Sequence, residues 1–107
     1  MGRTITDYLE EPELLDQLAE ELTELAKEVI KLARFRRGKN PTDRSETEIV
    51  KAIETEMADV LVAAAQLPYR PDWDTAASKK RRWQERLSAK YAAKYSRKDP
   101  EVRNEQG

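Results

Sequence analysis

Neither cysteine nor histidine occurs in this chain of 107 residues. Without cysteine there is no disulfide, no thiolate metal site and no thiol nucleophile. Without histidine the commonest general base is missing, together with imidazole-bound zinc, the Glu-x-x-His di-iron arrangement and the Ser-His-Asp triad. Any chemistry therefore falls to carboxylates, lysines, arginines or a hard metal ion. Glycine is scarce too, at three residues, and two of the five prolines, Pro68 and Pro71, flank a single break. Long uninterrupted helices are the expectation. No apolar run approaches the roughly 20 residues that span a bilayer, and no signal-peptide pattern opens the chain, so a cytoplasmic location and no membrane partner are expected.

Aromatic residues make up only 7% of the chain, whereas charged residues make up 38%, well above a typical value of roughly 25%. That leaves little apolar mass for a monomeric core. It suits amphipathic helices that bury one stripe each and complete their core against another subunit. The formal net charge is −1, but it is unevenly spread. Glu10 to Glu28 holds eight acids and one base, Lys27, whereas Lys79 to Lys98 holds nine bases and one acid, Glu85.

Hydrophobic spacing predicts an all-α fold: an antiparallel helical hairpin plus a third helix, assembling into an oligomeric bundle. Residues 1–11 read as a loosely attached lead-in, 12–98 as the helical domain and 99–107 as a flexible tail. The first long helix is expected from Pro12 to about Arg37, with Leu18, Leu22, Leu25, Val29 and Leu32 as its apolar stripe. Gly38 to Pro41 stops it, glycine supplying the left-handed cap. Ser45 and Glu48 form a capping box that opens the second helix, which runs to about Leu67 with Ile49, Ile53, Met57, Val60, Ala64 and Leu67 facing inward. The third helix is expected from Asp72 or Asp74 to about Ser96.

Two carboxylate pairs stand out, Glu21-x-x-Glu24 and Glu56-x-x-Asp59. A spacing of three places both acids of a pair on one helix face, and four such donors from two helices would suit Mg²⁺ or Mn²⁺. Most such pairs are solvated surface, so position relative to the apolar stripe matters. At about 100° per residue, with Ile49 as zero, Val60 falls near +20° and Glu56 near −20°. Glu56 is therefore expected to point into its own helix's core, where an unpaired charge would cost several kcal/mol. Ala52 and Ala63 beside it are small enough to leave room for a ligand.

The sequence here resembles the MazG-like all-α nucleoside triphosphate pyrophosphohydrolases. Their Glu-Glu-x-x-Glu motif is matched by Glu20-Glu21-Leu22-Thr23-Glu24, and their Glu-x-x-Asp motif by Glu56-Met57-Ala58-Asp59; the resemblance covers roughly residues 14–67. It implies hydrolysis of an NTP or dNTP to NMP and pyrophosphate, with Mg²⁺ held by Glu21, Glu24, Glu56 and Asp59, and a homodimer or homotetramer. Glu20 or Glu28 would take the proton of the attacking water. Lys79, Lys80, Arg82 and Arg86 on the third helix are candidates to hold the triphosphate, with Trp83 and Tyr91 read first as packing residues and second as stacking surfaces. Two other readings stay open. One is a basic nucleic-acid-binding module, which does not explain Glu56 and makes nucleic acid the less expected partner. The other is a non-catalytic helical interaction protein.

Overall fold

The computed structural model describes residues 2–39, 43–92 and 94. The described residues are helical without strands: α1 (Ile5–Tyr8), α2 (Glu11–Arg36), α3 (Glu46–Ala65) and α4 (Trp73–Lys90). The chain divides into two compact units, Met1–Tyr69 and Arg70–Gly107. No described helix is long and apolar enough to cross a membrane. The expected tail, 99–107, and the far end of the expected third helix, with Tyr95 and Ser96, lie outside the described residues, as do Asn40, Pro41 and Thr42.

Each helix begins where a side chain satisfies a free backbone N–H. The Ser45–Glu48 box is reciprocal: Ser45 Oγ accepts from the Glu48 N–H at 3.1 Å, and Glu48 Oε1 accepts from the Ser45 N–H at 3.2 Å. Asp72 caps α4 by accepting from the Thr75 N–H at 3.0 Å. α2 ends on Gly38 at φ +69, with the Gly38 N–H bonded to Phe35 O and the Lys39 N–H to Arg34 O, the double closure that only a left-handed residue permits at low cost. The lead-in holds a short helix that the hydrophobic spacing does not show. This is α1, started by Asp7 accepting from the Thr4 N–H at 2.7 Å.

α2 and α3 run antiparallel, since bonds join their ends at both extremities. Arg36 of α2 donates to Glu46 at the start of α3 at 2.9 Å. At the other end, the Tyr69 hydroxyl donates to Glu11 Oε1 at 2.6 Å. Among the less exposed positions of α2 are Leu14, Leu18, Glu21, Leu25, Glu28 and Leu32, and among those of α3 and the turn that follows it are Ile49, Ile53, Glu56, Val60, Ala63 and Leu67. Both follow steps of four and three, the interval that keeps one seam facing a partner helix. Leu14, Ile49, Ala63 and Leu67 are buried.

This seam differs from the expected stripe. Leu22, Val29 and Met57, read as core, are 47%, 48% and 51% exposed, whereas Glu21 and Glu28 occupy seam positions. Leu15, Leu22 and Val29 lie about 60–100° round α2 from the centre of its seam, and Met57 and Leu61 about 80–120° in the same sense round α3. In antiparallel helices equal rotations lead to the same side of the pair. The hairpin therefore carries a second apolar face, uncovered, beside the one it buries.

Candidate metal centre

Acids interrupt the seam at its middle. α2 brings Glu21 there and α3 brings Glu56, with Asp59 one turn further along α3. One oxygen from each of Glu21, Glu56 and Asp59 lies within 4.8 Å of the others. Glu21 is steadied from its own helix, accepting from Gln17 Nε2 at 2.8 Å. Glu56 is half-buried between the helices rather than sealed in the core, which corrects the depth expected from its helical angle.

The electrostatics of Glu56 follow from this position. Its pKa is raised above the ordinary glutamate value, first by burial and then by the negative charges of Asp59, Glu21, Glu24 and Glu28. The centre is thus a focus of negative potential. Glu24 contributes to that field but stands outside the three-carboxylate cluster; its carboxylate is 47% exposed and meets Lys27 at 3.4 Å. Glu20 faces solvent.

Glu28 has a different setting. Its carboxylate is 15% exposed, both oxygens accept from Arg44 Nη1 at 3.2 Å, and Lys31 lies 3.4 Å away. Burial is the largest influence on it and would raise its pKa, but the bonds from Arg44 and Lys31, with their charges, outweigh it and bring the pKa down. A carboxylate held in this way is a poor proton acceptor and a good clasp, tying α2 to the start of α3. Replacing Glu28 by glutamine is expected to cost about 1–2 kcal/mol in urea unfolding at neutral pH. A depressed folded pKa gives stability that is present above the unfolded pKa and lost as pH falls through the folded value. The difference between wild type and Glu28→Gln should therefore shrink below the ordinary glutamate range, and a difference independent of pH would refute the clasp.

Beside the carboxylates lies a cleft of about 190 Å³, lined by Ile5, Leu9, Leu14, Gln17, Glu21, Asp59, Val62, Ala63 and Gln66. Glu21 and Asp59 belong to both the cluster and the cleft. Ala63 is the small residue that leaves space, as expected; Ala52 is not among the lining residues. The wall from Ile5 and Leu9 was missed in the sequence because α1 was missed, although Thr4 three residues before Asp7 is its cap signal. The cleft and Asp59 lie on the side of the hairpin away from Leu22, Val29, Met57 and Leu61, by the same count of helical angles. Lys79, Arg82 and Arg86 gather round Trp83 in the second unit, and neither they nor Lys80 are among the residues lining the cleft. Comparison with family models, curated proteins and solved structures finds no match to this chain.

Proposed function

We propose that the chain is a magnesium-dependent nucleoside triphosphate pyrophosphohydrolase of the MazG-like all-α type, releasing NMP and pyrophosphate from an NTP or dNTP. The observation that carries this reading is the convergence of Glu21, Glu56 and Asp59 beside a largely apolar cleft. The donor set fits the ion: oxygen ligands only, at least three negative charges, and an exposed edge for water and phosphate to complete the coordination. Mn²⁺ satisfies the same criteria. When bound, the ion would neutralise phosphate charge and make water a stronger nucleophile.

The chain's own residues divide the remaining work. Glu21, Glu56 and Asp59 hold the ion, and Glu24, which meets Lys27, supplies a fourth carboxylate. Ile5, Leu9 and Val62 give the nucleoside an apolar bed, while the carboxamides of Gln17 and Gln66 offer both donors and acceptors at its rim. Water attacks the α-phosphorus, the bond to the bridging oxygen breaks, and pyrophosphate leaves. Glu20, exposed and adjacent in sequence to Glu21, takes the water's proton; Glu28 is committed to Arg44. The reading includes a homodimer or homotetramer, because the hairpin buries few apolar side chains and leaves its second face open.

The test is a panel of NTPs and dNTPs incubated with Mg²⁺ and analysed for both products. Equimolar NMP and pyrophosphate, abolished by EDTA, is the expected result. Orthophosphate as the product, or no turnover of any substrate by folded protein, would overturn the assignment.

A further inference from the structure

The second unit holds a feature to which the hydrolysis proposed above assigns no step. On α4, Lys79, Arg82, Arg86 and Lys90 follow one another at steps of three and four, so they form a row along one side of the helix. Trp83 stands at the edge of that row, 61% exposed, and Lys79, Arg82, Trp83 and Arg86 line one open hollow of about 480 Å³. No ion pair engages Lys79, Lys80, Arg82 or Arg86 among the described residues. Tyr91 is differently placed, with the ammonium groups of Lys90 and Lys94 at 5.4 and 5.8 Å from its ring centroid.

We infer that α4 is a binding site for single-stranded nucleic acid, with Lys79, Arg82 and Arg86 on successive phosphates and Trp83 stacked on a base. Cations tracking a backbone beside a solvent-facing aromatic is the minimal chemistry of single-strand recognition, and it is tolerant of sequence because every base has a π-face. An unpaired strand is required, since bases inside a duplex present no free face. A membrane surface fits less well. Lys80 lies about 60° round the helix from Trp83, inside the arc occupied by Ala76, Leu87 and Trp73, and so breaks the continuous apolar face that an interfacial helix needs. The objection that nucleic acid leaves Glu56 unexplained falls away, because α4 and the carboxylates belong to separate compact units.

The chain's two tryptophans, Trp73 and Trp83, are both on α4, so intrinsic fluorescence of the full chain reports on this helix. Titration at low salt with an oligo(dT) strand of about twenty nucleotides should quench it saturably. The logarithm of the affinity should fall against that of salt with a slope of about −2, as expected for three phosphate contacts on a single strand. With a labelled strand and anisotropy as readout, Trp83→Ala should weaken binding about tenfold, and the triple change Lys79→Ala, Arg82→Ala, Arg86→Ala should remove most of the salt dependence. All four positions are exposed, and far-ultraviolet circular dichroism checks that the helices persist. Absence of quenching at low salt overturns the inference. So does equal affinity for inorganic polyphosphate with no effect of Trp83→Ala, which would mark a site for polyanions. Tighter binding to vesicles of anionic lipid, or to free dTTP than to the strand, overturns it as well.

Discussion

Glutamine at position 56 is expected to abolish pyrophosphate release and, in the same protein, to stabilise the metal-free fold. The two effects share one cause. Glu56 sits where burial and four neighbouring carboxylates, Asp59, Glu21, Glu24 and Glu28, all oppose its ionisation. Such a residue carries a cost to the fold, and in the proposed function a bound cation is what makes its charge useful. Loss of groups that merely orient a metal ligand reduces affinity or activity roughly 10–100-fold, so loss of a ligand oxygen should reduce turnover by at least about a hundredfold.

The stability effect has a definite sign. A carboxyl whose folded pKa is raised binds protons more readily in the folded state. The metal-free wild type should therefore gain stability as pH falls from neutrality toward the ordinary glutamate range, and lose it again on the way up. Glu56→Gln should melt higher than wild type at neutral pH without metal and should lack that pH-dependent segment. Mg²⁺ reverses the ranking. At about a hundred times its dissociation constant, a ligand specific for the folded state raises the melting temperature of a domain this size by on the order of 10 °C. Wild type should show that rise, whereas Glu56→Gln should show little of it. Melting curves in EDTA and in Mg²⁺ across pH 5 to 8 make the comparison. A variant that turns over normally, or that is less stable than wild type without metal, would show that Glu56 is not a cation ligand.

Leu61→Lys should reduce the proposed homo-oligomer to monomers. Leu61 is 70% exposed in the chain taken alone, so the substitution costs the hairpin itself almost nothing. On the second apolar face, with Leu22, Val29 and Met57, the same lysine would be buried against a second copy without a partner charge. That penalty is several kcal/mol per copy, enough to weaken association by about two orders of magnitude or more. Sedimentation or light scattering reads the mass directly. Thr55→Lys, exposed and away from that face by helical angle, is the control and should leave the mass unchanged. If Leu61→Lys keeps the wild-type mass, the second face is not the subunit interface.

The difference between the expected stripe and the observed seam has the same origin. Hydrophobicity marks Leu18, Leu22, Leu25, Val29 and Leu32 as one set, because a single-chain reading assigns every apolar residue to one core. α2 instead has two apolar sides, and only Leu18, Leu25 and Leu32 turn toward α3. Periodicity cannot say which side meets the chain's own second helix, since that depends on where the acids are tolerated. The ends of the elements were more legible. Ser45 with Glu48, Gly38 and Asp72 act through local bonds that the sequence displays directly.

The site was readable in part for similar reasons. That Glu21, Glu56 and Asp59 come together was legible because their spacing and angle are properties of single helices. Glu24 stays at the margin of the cluster because its side chain turns toward Lys27. The binding of Glu28 to Arg44 was not readable, as it depends on the path of the chain between the helices. Neither was α1, whose four residues are too short to show a period.

The hairpin is fastened near both ends and repelled in the middle. Arg44 with Glu28 and Arg36 with Glu46 draw the helices together near the connecting loop, and Tyr69 with Glu11 does so at the open end. Between them the acids push apart. Mechanically this is a beam clamped at its supports, with its softest point at mid-span. Such a beam needs no hinge to respond to a load at that point: occupancy of the carboxylate cluster would stiffen the centre of both helices while their ends stay where they are. The geometry favours a rivet over a jaw, and the substrate of the proposed reaction would enter from the side of a frame already closed at each end.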